Sequence, residues 1–263
     1  MKMLLIRNFG WLTKLILLLL IIPTIVLFVL SMLNTGNAFA IIVVEAFLGF
    51  GAINGLKSAL MRKTLNILYQ ECDPEKFLTQ VNEFIDGERE KRMKLNFLNW
   101  KLIALMQCKR LDEALEIQKL MESKFDERLP VSLKATFSIS FATLSIARKE
   151  LSLAEEWMKK AELLMKEKNF GPLEIKRITF ALNLNRCEID LMLGRTEGCE
   201  EKLKNILEFE VRKSVLVRAH YLLGKLYFNI NHPEGVKMEV QFVLENGNKL
   251  PEVELAREMI KDE

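Results

Sequence analysis

From Leu15 to Leu33 the chain runs for 19 residues without a charged side chain, and from Ala38 to Leu56 for another 19 with one charge, Glu45. At ~1.5 Å per residue each run makes a helix of ~28 Å, close to the ~30 Å hydrocarbon thickness of a bilayer. Only Asn34, Thr35, Gly36 and Asn37 lie between them. Two spanning helices joined by so short a turn form an antiparallel hairpin, and this restricts everything downstream.

The flanks orient the hairpin. Lys2, Arg7 and Lys14 precede the first span, Lys57, Arg62 and Lys63 follow the second, and the turn has no basic residue. The positive-inside rule places both outer ends in the cytoplasm. The expectation is a multi-pass protein of the cell membrane, with a cytoplasmic tail (1–14), a hairpin (15–33 and 38–56) and the remaining chain cytoplasmic. Lys2, Arg7, the apolar run and Ala38-Phe39-Ala40 also imitate a signal peptide with a cleavage site. That run exceeds the usual h-region of about 7–15 residues, however, and a second span follows at once.

Two features of the spans carry functional expectations. Gly51 and Gly55 form a GxxxG, extended by Gly49, Ala52 and Ala59, a surface on which helix backbones approach closely, within the hairpin or in a homo-oligomer. Glu45 lies about eight residues into the second span, where a charge costs ~2.5–3.5 kcal/mol. With no basic residue in either span, an ionic partner for Glu45 has to come from another chain. Pro23 is expected to kink the first span.

Charge follows the same division. Residues 1–63 hold six Lys/Arg against Glu45 alone, whereas residues 64–263 hold 32 basic and 34 acidic side chains. The net +3 therefore belongs to the anchor and not to a basic nucleic-acid surface, so nucleic acid is not an expected partner. The lipid bilayer is. The four cysteines, Cys72, Cys108, Cys187 and Cys199, form no CxxC pair and read as reduced thiols. Heavy use of Lys, Asn and Ile points to a bacterial source.

Residues 57–72 keep Leu60, Leu65 and Leu68 at helical spacing and read as a juxtamembrane helix. From 73 to 263 proline marks helix starts. Asp73-Pro74-Glu75 supplies an N-cap, a first-position proline and a first-turn acid, and Pro130, Pro172, Pro233 and Pro251 precede apolar-periodic stretches. No alternating run is long enough for a sheet. The predicted class is all-α. Helix 73–86 is followed by the pairs 90–108 with 112–125, 130–148 with 152–168, 172–193 with 197–209 and 212–229 with 233–245, and by a last helix at 251–261. A small residue opens each second helix, at Ala114, Ala154, Gly198 and Gly235, where paired helices need close approach. These recur at the scale of helical-hairpin repeats.

The run Tyr221-Leu222-Leu223-Gly224-Lys225-Leu226-Tyr227 and the turn from Lys109 to Leu115 resemble the tetratricopeptide-repeat superfamily over roughly residues 73–247. Spacings exceed its nominal 34 residues, and most signature positions are Leu or Ile. The resemblance implies an α-solenoid whose first helices line a groove for an extended peptide or partner helix. Its repeat frame places Asn96, Asn99 and Ile103 in the groove, followed by Thr136, Ile139 and Thr143, Asn183 and Asp190, and Arg218, Tyr221 and Lys225. The run from Lys134 to Ala147 carries five Ser/Thr, either for close packing or as a polar seam in that groove.

Catalytic patterns are missing from the sequence. His220 and His232 are the only histidines, and no P-loop, GxGxxG, HExxH or GxSxG occurs. No enzyme activity, metal or cofactor is expected. The expected function is a membrane-anchored scaffold or adaptor for an unidentified protein partner. The alternative is an accessory subunit of a membrane transport or secretion complex, with Glu45 and the Gly51/Gly55 face as its contacts.

Overall fold

The structure, a computed structural model, describes residues 51, 55–56, 58–88, 90–124, 129–167 and 170–261. The tail 1–14, the first span 15–33, Glu45 and most of the second span lie outside the described residues. Within them the protein is all-α, without a strand. Helix α1 occupies residues 58–69, and Gly51, Gly55 and Leu56 upstream of it are also helical. There follow α2 (Pro74–Gly87), α3 (Lys91–Gln107), α4 (Leu111–Glu122), α5 (Val131–Ala147), α6 (Leu151–Met165), α7 (Pro172–Met192), α8 (Cys199–Phe209), α9 (Lys213–Asn229), α10 (Pro233–Asn246) and α11 (Pro251–Met259). Among the described residues no helix is long and apolar enough to cross a membrane.

Local chemistry accounts for the helix ends. Asp73 Oδ1 accepts from Lys76 N at 3.0 Å, with Pro74 in the first turn. His232 caps α10 in the same way, its Nδ1 accepting from Gly235 N at 2.9 Å ahead of Pro233. The four first helices α3, α5, α7 and α9 each stop at a residue in the left-handed region: Lys109, Lys149, Gly194 and Asn231 respectively. The next amide then reaches back five residues: Arg110 N to Leu105 O at 2.9 Å, Glu150 N to Ser145 O at 2.8 Å, Arg195 N to Asp190 O at 2.7 Å, and His232 N to Tyr227 O at 2.9 Å. This is one helix-stop geometry used four times, and it makes the chain repeat-like.

The small residues expected after each turn are only partly where the sequence suggests. Ala114 and Ala154 are completely buried. A Cβ on Gly235 would lie 2.6 Å from Tyr227 Cδ2 and 2.7 Å from His232 Nδ1, so that approach is as close as expected. At the third turn Cys199 is the buried small residue, and Gly198 is exposed. Gly198 is needed there for its φ of 67°, not for its size.

Each second helix packs on the first of its pair, and first helices pack in succession, α3 on α5, α5 on α7, α7 on α9 and α9 on α11. The apolar core has three parts. Ile67 and Leu68 of α1 join Phe77, Leu95, Leu102 and Phe141 in the first. Ala135, Ile146, Met158 and Ile178 form the middle. Leu203, Val217, Leu222 and Val240 form the last, which also takes in Cys72 from the other end of the chain. Helix α1 is thus part of the core.

Cys72 marks a closure. Lys249 N donates to Cys72 O at 3.2 Å, Asn248 Nδ2 to Glu71 O at 2.7 Å, and Gln70 Nε2 to Val211 O at 2.9 Å. Lys249 Nζ lies 2.8 Å from Asp73 Oδ2, and Lys109 Nζ 2.5 Å from Glu254 Oε2. The Arg212 guanidinium sits 5.6 Å from the Tyr69 ring centre, against which Glu210 holds it in a two-point ion pair. The row of first helices therefore curves until its end meets the segment that leaves α1.

Candidate functional site

Helix α5 carries the Ser/Thr-rich run. Its hydroxyls turn back onto their own helix: Thr136 donates to Ser132 O at 2.8 Å, Ser138 to Lys134 O at 2.9 Å and Ser140 to Thr136 O at 3.3 Å. Such bonding satisfies a hydroxyl without a partner helix, so small polar residues pack in a nearly dry interface. Ser138, Ser140 and Ser145 are buried. The run mainly serves packing, and Thr143 is the member that reaches a neighbouring helix.

The Thr143 hydroxyl lies 3.0 Å from Ile139 O and 3.1 Å from Asn185 Oδ1. Asn185, fully buried on α7, also receives Arg218 Nη2 from α9 at 3.0 Å, and its own Nδ2 points to Ile139 O at 3.5 Å. Arg218 is ion-paired with Glu188, one turn along α7 from Asn185. Three successive first helices are joined by this network. Burial disfavours the Arg218 charge, but Glu188 more than offsets it and holds the guanidinium above its ordinary pKa. Two expected groove residues, Thr143 and Arg218, are thus brought together through Asn185 and Glu188, which the repeat frame does not single out.

Tyr221 follows Arg218 by one turn. Burial, and then the carboxylates of Glu188, Glu252 and Glu258, push its hydroxyl pKa upward. Glu252, in the first turn of α11, has its pKa raised by burial first; a hydrogen bond from its own backbone amide, Arg218 and Lys109 pull it down, and Glu188 adds to the rise. Its Oε2 is buried without a hydrogen-bond partner, as are Asn99 Oδ1 and Gln107 Oε1 on α3. Asn99 is 3% exposed.

The other expected groove residues are spread out. Asn96, Asn183 and Lys225 are half-buried, Thr136 is exposed and Ile139 is buried. Asp190 faces Arg195 at 3.9 Å and lines a hollow between α6 and α7 with Glu155, Met158, Lys159, Glu162, Arg186 and Ile189. Among the described residues Gly51 and Gly55 are exposed, and a Cβ on either would meet no described atom within 4 Å.

All four cysteines are free. Burial raises the thiol pKa of Cys72 and Cys108 to about 11 and of Cys187 to about 12, so at neutral pH they are protonated and poor nucleophiles. Among the described residues no three His, Cys, Asp or Glu side chains gather as a metal centre would require.

No family model matches this chain, and no curated protein or solved structure is significantly similar to it.

Proposed function

We propose that the protein is a membrane-anchored scaffold. The hairpin at 15–33 and 38–56 holds it in the cell membrane, and a tetratricopeptide-like α-solenoid facing the cytoplasm binds a protein partner on the inner side of its first helices. The observation that carries this reading is the polar chain Thr143, Asn185, Glu188 and Arg218, set on three successive first helices with Tyr221 and Glu252 beside it. The network fixes three successive first helices relative to one another, and a row of first helices held in this way suits an extended peptide or partner helix. The packing of α1 in the core supports it too, because a core helix that follows the anchor in the chain keeps the domain close to the bilayer.

Photo-crosslinking residues placed singly at Asn183 and Lys225, and at Glu155 on the hollow between α6 and α7, test the reading in intact membranes. It expects one discrete protein adduct from the first two positions and none from Glu155. Equal adducts from all three, or none from any, count against it.

A second reading draws on Gly51 and Gly55, exposed among the described residues, as a surface for a helix of a transport or secretion complex, with Glu45 as a further contact. Glu45→Gln separates the two. Loss of activity with normal insertion and intact crosslinks at Asn183 favours the accessory subunit.

A further inference from the structure

The two ends of the helix row meet at residues 69–73, and the seam between them is thin. Its polar contacts lie at the surface. The bonds from Gln70 Nε2 to Val211 O and from Asn248 Nδ2 to Glu71 O are exposed, and the lysine side chain of the Lys249–Asp73 pair is 56% exposed. The Lys109–Glu254 pair, which ties the α3–α4 turn to α11, is exposed on both sides. Such contacts compete with water, and each adds little. Tyr69 and Arg212, both half-buried, complete the polar side of the seam.

Apolar burial adds one small side chain. Among the described residues, Cys72 is the one buried member of the last core that comes from before α7, and the first core has none from beyond α5. Cys72 is fully buried, and its φ of 53° is in the left-handed region that disfavours a side chain. Opening the seam therefore exposes one cysteine, whereas separating a helix pair exposes a core. Segments with few buried contacts open first. The closed row also leaves its inner face poorly accessible. Among the expected groove positions Thr136 alone is exposed; Asn99 and Ile139 are buried and the others half-buried.

We propose that the seam at residues 69–73 is a latch, which opens while the helix pairs on either side stay folded and so admits the protein partner to the inner face. The inference rests on the scaffold reading and names how that site is regulated. The latch is placed for the task. Helix α1 (58–69) runs into it, and on the scaffold reading α1 follows the membrane anchor in the chain. A shift of α1 against the row acts directly on the contacts of Gln70, Glu71 and Asp73.

Three equally buried thiols make the test direct, since Cys72, Cys187 and Cys199 are all 0% exposed. Membranes carrying the full chain are treated with N-ethylmaleimide. The chain is then denatured, the remaining thiols are capped with the deuterated reagent, and peptide mass spectrometry gives a rate for each cysteine. The expected result is that Cys72 reacts about ten-fold or more faster than Cys187 and Cys199. Asn248→Ala with Lys249→Ala, which removes two seam contacts, is expected to speed Cys72 several-fold further, to leave Cys187 and Cys199 unchanged, and to raise the adduct yield at Asn183 and Lys225. Equal protection of the three thiols overturns the latch. So does a variant that leaves Cys72 unchanged, or one that speeds all three alike, which marks general destabilisation. Faster Cys72 labelling with adducts unchanged or reduced overturns the entry role and leaves the scaffold reading standing. Absence of adducts in both chains removes the scaffold reading and the entry role together, while the thiol rates still decide whether the seam opens by itself.

Discussion

At the scale of single residues, Glu252 is the group whose behaviour departs most from an ordinary surface carboxylate. Burial first, and Glu188 next, raise its pKa above the usual value of 4.5. Because the folded state holds this proton more tightly than the unfolded chain does, stability falls as pH rises through the unfolded and then the folded pKa. Below the unfolded value both states are protonated and the penalty vanishes. Glu252→Gln is therefore expected to be more stable than wild type at neutral pH and equal to it near pH 4, measured by denaturant midpoints at both. A variant less stable at neutral pH would show that the carboxylate is satisfied in the fold. Nothing in the local sequence marks Glu252 out, because an acid in the first turn of a proline-started helix is ordinary capping chemistry.

At the scale of helices and turns, the four helix stops supply the next tests. Lys149 occupies the left-handed region at φ 64°, where a side chain costs roughly 1–2 kcal/mol and glycine costs little. Lys149→Gly is expected to raise stability by about 1 kcal/mol, read from equilibrium unfolding. Gly235→Ala is expected to lose about 1–3 kcal/mol, since its Cβ meets Tyr227 and His232 well inside van der Waals distance. These elements were legible because helix starts and stops are local. Asp73-Pro74, His232-Pro233 and the turn after Lys109 carry their instructions within a few residues. Gly198 was harder to place, since glycine serves both small size and positive φ, and the sequence alone does not say which is used. Thr143 and Arg218, named from the repeat frame of the resemblance, meet in one hydrogen-bond network through Asn185. Their partners were not legible, because Asn185 and Glu188 become distinctive only when α7 lies between α5 and α9.

At the scale of the whole molecule, the closure at residues 70–73 was invisible in the sequence. It depends on Gln70, Asn248 and Lys249 meeting backbone and side-chain groups far away along the chain. Its acid sensitivity is predictable. Burial alone would raise Asp73, but hydrogen bonds from Lys249 and the Lys76 amide, with the charges of both lysines, outweigh it and hold the carboxyl below 3.8. A depressed carboxylate contributes stability above the unfolded pKa that disappears as pH falls through the folded one. Asp73→Asn is expected to lower stability at pH 7 and to flatten the acid limb below about pH 4, followed by the denaturant midpoint across that range. An unchanged acid limb would remove Asp73 from the closure. A Glu71→Cys, Asn248→Cys pair is expected to crosslink under mild oxidation, which an open row of helices would not allow.

The central claim is that an N-terminal membrane hairpin presents this helical domain to the cytoplasm, and protease accessibility in sealed vesicles of known orientation tests it most directly. The account predicts that the domain is digested when the cytoplasmic face is outward and protected when it is inward, with residues 15–56 retained in the membrane fraction. Digestion from the opposite face only, or release of the intact domain after cleavage near Ala40, would contradict it.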